Sequence, residues 1–114
     1  MNIEQLLDKL HNSPELIEFS EVMACIDENY DFHETAFTNG EQKNASGENS
    51  GSCKVFSFAQ VHNLDAQQTL ALFGQYYRDD VLQHPTADNH NNIREFIQHG
   101  FAGLSFERTP LSKK

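Results

Sequence analysis

Tryptophan is absent from this chain, basic residues are scarce, and only two cysteines and three prolines occur. Two thiols, Cys25 and Cys53, are too few for a disulfide framework, and both sit in segments that read as buried. Free thiols in a reducing compartment are the expectation, with no bond between them. Eight Lys and Arg stand against seventeen Asp and Glu, a formal net charge of −9. A field of that sign repels phosphate backbones and anionic bilayers, which argues against general nucleic-acid binding and against a membrane-surface role. No run approaches the roughly 20 apolar residues that a spanning helix requires. The opening Met1-Asn2-Ile3-Glu4-Gln5-Leu6-Leu7-Asp8 has neither a basic n-region nor a long apolar h-region. Export by a cleaved signal peptide is therefore not expected.

What is present suffices for one domain over residues 1–114. The apolar share is 38%, and nine Phe supply large buried areas in place of a longer aliphatic core. Ile3, Leu6, Leu7 and Leu10 fall at helical spacing and predict a first helix of about two turns. Ser13 as N-cap and Pro14 at the first helical position predict a second, carried to about Asn29 by Leu16, Phe19, Met23 and Ile26. Cys25 adjoins that stripe as a small buried filler. Phe32 to Thr38 changes period and reads as an isolated strand. Residues 39–52 read as a long polar loop, mobile or functional at that length.

Ser52 is placed to cap a third helix from Cys53 to about His62, apolar on most sides, although the same run also suits a buried strand. Asp65 with Gln68 forms a capping-box pattern, and a fourth helix is expected from there to Pro85. Gly74 inside it implies a close contact between helices. Residues 86–92 connect to a short fifth helix, stopped by Gly100. Residues 102–107 are the expected partner strand for 32–38, and 110–114 the expected frayed tail. The fold class is α+β: about five helices with a small two-stranded antiparallel sheet.

Four groupings carry residue types suited to chemistry. Cys53, at a helix start, has the setting that lowers a thiol pKa, with His62, His84 or His90 as base in a cysteine-dependent hydrolase. Gly51, Ser52 and Lys54 resemble an anion cradle, though without the Walker A spacing. His84, Asp88 and His90 are zinc-type ligands within seven positions. Tyr76-Tyr77-Arg78-Asp79-Asp80 offers a polar pocket. In each case a plainer role explains the same residues: a buried thiol, an N-cap, surface histidines, a solvated helix face. No resident cofactor is expected, and zinc is the one metal that the His84 grouping would suit.

The combination Phe37-Thr38-Asn39-Gly40, Asn49-Ser50-Gly51-Ser52-Cys53-Lys54 and Phe58-Ala59-Gln60 resembles a family signature. It continues in Thr69-Leu70, Phe73-Gly74, Tyr76-Tyr77-Arg78, Asp80-Val81-Leu82, Asn92-Ile93-Arg94 and Gly100-Phe101-Ala102-Gly103. Together these resemble the HopJ type III effector family of small bacterial proteins, from about Leu16 to Leu111. Phe101 departs from the pattern, which has Trp there. The resemblance implies a bacterial protein acting by protein–protein interaction with a partner it does not identify. It implies synthesis in the bacterial cytoplasm and secretion by a type III system, or a housekeeping cytoplasmic role. It brings no catalytic residues.

Overall fold

A computed structural model describes residues 2–114. Helix α1 (Ile3–Asn12) opens on Asn2, whose side chain accepts from the Gln5 N–H while the Gln5 side chain accepts from the Asn2 N–H. This reciprocal cap satisfies two groups that the helix itself leaves free. Leu6 and Leu10 are its buried face. Ser13 and Pro14 then begin only a 3-10 turn, Pro14–Leu16. Ile17 follows in extended backbone and fully buried. Helix α2 (Phe19–Asn29) starts afresh, with the Glu18 N–H held by the Glu21 carboxylate. The single helix expected over 14–29 is thus two pieces.

Gly74 explains that break. Its φ is +59°, and a Cβ there would lie 2.7 Å from the Phe19 nitrogen and 2.9 Å from the Ile17 oxygen. The backbone of residues 17–19 packs directly onto Gly74, and Arg78 donates to the Ile17 carbonyl. The same glycine interrupts the fourth helix. Helix α4 (Ala66–Ala71) keeps its Asp65–Gln68 box, and after Gly74 the chain resumes as a π-helix over Tyr76–Val81. A π-helix is rare and tends to mark functional sites.

Helix α3 (Ser50–Val61) is the central helix, with Cys53 and all of Val55 to Ala59 buried. Its Phe56 ring lies 5.4 Å from Phe73 and 5.0 Å from Phe96, on α5 (Asn91–His99). Helix, not strand, is the outcome for this run, although it starts at Ser50 behind an Asn49 N-cap rather than at Ser52.

The strands depart furthest from expectation. β1 (Tyr30–Phe32) pairs antiparallel with β5 (Leu111–Lys113), so the tail expected to fray over 110–114 carries a strand. The Lys114 N–H bonds to the Asn29 carbonyl and the His33 N–H to that of Pro110. β2 (Phe37–Asn39) is the centre of a second sheet of order β3-β2-β4. Its partner β4 (Leu104–Phe106) lies within the 102–107 segment expected to pair there, in the register Phe37 opposite Phe106. β3 (Gln42–Asn44) falls inside the supposed 39–52 loop. Asn39-Gly40 does turn a hairpin, with Gly40 at φ +58°. The α+β class and the predominance of helix hold; there are two small antiparallel sheets instead of one.

Candidate binding cleft

Two helix starts face one cleft of about 310 Å³. The first turn of α3 contributes Asn49, Gly51 and Ser52, and that of α5 contributes His90, Asn91 and Asn92. Both N-cap residues are left-handed: Asn49 at φ 52° and His90 at φ 53°. Asn and His tolerate that region better than most side chains. Neither gives a side-chain cap to its helix. The first helical bond of α3 is made by the Cys53 N–H and that of α5 by the Ile93 N–H. The preceding N–H groups have no intrahelical partner, in a left-to-right-handed turn of the kind that forms anion-binding nests.

Phe19, Phe73 and Tyr76 also line the cleft. The Phe19 and Tyr76 rings are 5.1 Å apart, and Tyr76 stacks on His90 at 5.1 Å and 27°. His90 Nε2 is 2.9 Å from Asp80 Oδ2, on the π-helix. A carboxylate only accepts, so Nε2 carries the hydrogen in this pair. The wider turn of the π-helix thus presents Tyr76 to the cleft and uses Asp80 to fix the imidazole behind it.

A buried amide network sets the two helix starts relative to each other. Asn92 is its hub: its carbonyl accepts from Asn39 Nδ2 at 2.7 Å, and its own Nδ2 donates to Asn44 Oδ1 at 3.0 Å. Asn44 Oδ1 also accepts from Asn49 Nδ2 at 2.7 Å, which ties the N-cap of α3 to the hairpin and, through it, to α5. Asn39 Oδ1 has no partner. These asparagines are spread from 39 to 92, so only the topology gathers them. The visible sequence signal is that both helices open on residues tolerant of positive φ.

The residues singled out from sequence fare differently. Gly51 and Ser52 line the cleft, but Lys54 does not; its ammonium is 2.8 Å from Asp27 and 5.0 Å from the centre of the Phe32 ring. Cys53 faces the core, 1% exposed, and burial pushes its thiol up to about 11. The helix-start setting that was expected to lower this pKa loses to desolvation. His62 lies nine positions further along α3 and bonds the Tyr30 hydroxyl at 2.8 Å, with burial holding its pKa below the usual value. His90 is bound to Asp80, and no hydrogen bond among the described residues joins Cys53 to His62, His84 or His90. Among the described residues, the Cys–His pair that the hydrolase alternative requires is not assembled.

His84, Asp88 and His90 are likewise not brought together. Among the described residues, no group of three or more His, Cys, Asp or Glu is placed to hold a metal ion. Arg94 explains the loop instead, bonding the carbonyls of His84 and Asn89. Cys25 and Cys53 are free and buried, and burial also raises the Cys25 thiol. Both should therefore resist a disulfide reagent at pH 8 in the native protein. Thiolate depletion alone slows Cys53 roughly a hundredfold relative to the unfolded chain. A rapid burst of one thiol before denaturant is added would contradict this placement.

Fold and cleft together describe a helix-rich α+β domain with a polar cleft walled in part by aromatic rings. The sequence matches the family described as HopJ type III effector protein over residues 3–111. The chain belongs to that family. It is also similar to a crystal structure of the unknown function protein VPA0580, with 50% sequence identity and a TM-score of 0.98, over 100% of this chain and 95% of that one. No curated protein matches the sequence. Among the described residues, no helix is long and apolar enough to cross a membrane.

Proposed function

We propose that the protein acts by non-covalent capture of a partner chain, holding that partner's C-terminal carboxylate in the cleft between the starts of α3 and α5. One observation carries this reading: two uncapped helix N-termini converge on a cleft lined by no Lys, Arg, Asp or Glu. Open N–H groups and the helix dipole favour an anion there, by about 0.3–1 kcal/mol for each helix when exposed. A singly charged carboxylate matches that partial charge. A phosphate dianion would enter a chain of net charge −9 with no lining cation to balance it.

Backbone nests are a known means of capturing chain termini. A protein partner also fits the family's effector description, with synthesis in the bacterial cytoplasm and type III delivery as parts of the same proposal. The cysteine-hydrolase alternative has less support, since Cys53 is buried with a raised pKa.

The test is calorimetric titration with acetyl-Gly-Gly-Phe and its C-terminal amide, on the wild type and Ser52→Asp. The free acid should bind at least about tenfold tighter than the amide. An aspartate in the first turn of α3 supplies its own anion, so Ser52→Asp should keep or gain stability while losing the acid. Equal affinity for acid and amide would sink the reading.

A further inference from the structure

We infer that the hydrogen bond between Tyr30 and His62 is an acid-sensitive latch, whose loss on mild acidification frees the last strand, β5, from the domain. Tyr30 sits at the join of α2 and β1, 6% exposed, and its hydroxyl meets His62 Nε2 at 2.8 Å. Among the described residues, that hydroxyl has no other hydrogen-bond partner. A buried hydroxyl hydrogen needs an acceptor, so neutral His62 receives it on Nε2 and carries its own hydrogen on Nδ1. Protonation puts a second hydrogen on Nε2. The phenol oxygen can still accept, but its own hydrogen must then swing away from the one acceptor it has.

The surroundings of the ring decide the sign. Burial holds the His62 pKa below the ordinary histidine value, and the Lys113 ammonium on β5 pushes in the same direction. Asp31 on β1 forms no ion pair with the ring, and Asp27 on α2 is taken by Lys54. Two weaker attractions favour an imidazolium: the Phe58 ring, 4.4 Å away, and the C-terminal end of α3, which His62 caps. Desolvation, like charge and an unmade hydrogen bond together exceed them. A histidine with a depressed folded-state pKa contributes stability above about pH 6.5 that is lost as pH falls below it.

That loss is concentrated on β5. Three antiparallel pairs join it to β1, and Leu111 is its one buried residue. Tyr30 stands directly opposite Lys113 in this register. Charging His62 therefore strains one pair from both strands, unsettling the Tyr30 side chain and repelling the ammonium across from it. The sheet's other histidine behaves differently. His33 Nε2 lies 2.7 Å from Ser112 Oγ in an exposed contact. That hydroxyl can accept from a charged ring and turn its own hydrogen to water.

Hydrogen exchange followed by NMR tests the latch, read as protection factors so that the intrinsic pH dependence of exchange cancels. The reporters are the His33 N–H, bonded to the Pro110 carbonyl, and the Lys114 N–H, bonded to that of Asn29, which bracket the β1–β5 ladder. Their protection should fall about tenfold from pH 7.5 to pH 5, the factor that one unmade buried hydrogen bond accounts for, while the Phe56 N–H in α3 holds. His62→Gln keeps an acceptor for Tyr30 without a titrating ring and should abolish the drop. Lys113→Gln, at an exposed position, is the second variant and should lessen it. Unchanged protection in the wild type, or an undiminished drop in either variant, would overturn the inference. An equal loss at Phe56 would also overturn it, because the whole domain and not β5 would then be giving way.

Discussion

Gly74→Ala destabilises the protein by about 3 kcal/mol or more, from backbone strain and overpacking acting together. The left-handed φ of +59° is unfavourable for any Cβ, and this Cβ meets backbone, not a movable side chain, at 2.7 and 2.9 Å. The chain at 17–19 and the turn into the π-helix must then separate. That separation withdraws Phe19 from Phe73 and Tyr76, so the aromatic wall is lost with the stability. In a domain of this size the melting temperature should fall by roughly 12 °C or more. Equilibrium denaturation checks it, and a loss below about 1 kcal/mol would mean that the packing at Gly74 is looser than described. Gly51→Ala is the internal contrast, since a Cβ there meets the edge of the Phe19 ring, 2.9 Å from Cζ.

Asn92→Leu is the second large effect, expected at about 2 kcal/mol together with weakened carboxylate binding. Asn92 is buried, and its Oδ1 accepts from Asn39 at 3.1 Å and from Asn44 at 3.3 Å. Leucine removes this acceptor of two bonds and the donor to Asn44, within a network where Asn39 Oδ1 already lacks a partner. The backbone bond from Asn39 Nδ2 to residue 92 survives, which keeps the cost below that of a fully orphaned group. Since Asn44 also holds Asn49, the starts of α3 and α5 lose their common reference. Denaturation and peptide titration on the same variant should show both losses. Weakened folding with unchanged affinity would separate the network from the cleft.

Helices were legible in the sequence where one local signal governed them. The Asp65–Gln68 box and the stop at Gly100 needed no tertiary information, whereas the apolar run of α3 suited helix and buried strand alike. The misses share a physical cause, namely a remote partner that overrides a local preference. Ser13-Pro14 looks like a helix start, yet Ile17 must bury and Gly74 needs the space beside it. The tail looks disordered until β1 is placed beside it. Gln42-Lys43-Asn44 has little strand character of its own and pairs because Asn39-Gly40 turns it onto β2 and Asn44 is anchored by Asn92. Of the residues grouped as an anion cradle, Gly51 and Ser52 line the cleft. Lys54, grouped with them, is instead paired with Asp27, 27 positions earlier in the chain. For Cys53 the plainer role holds: a helix start can be buried on one side and open on the other, and its side chain lies on the buried one.

Carboxylate capture by the two helix starts is tested most directly by nitrogen–proton correlation spectra of the labelled protein during titration with acetyl-Gly-Gly-Phe. The backbone signals of Gly51, Ser52, Asn91 and Asn92 should move furthest, in proportion to one another, and stay still when the amidated peptide is added. Shifts centred elsewhere, or equal shifts with acid and amide, would contradict the account.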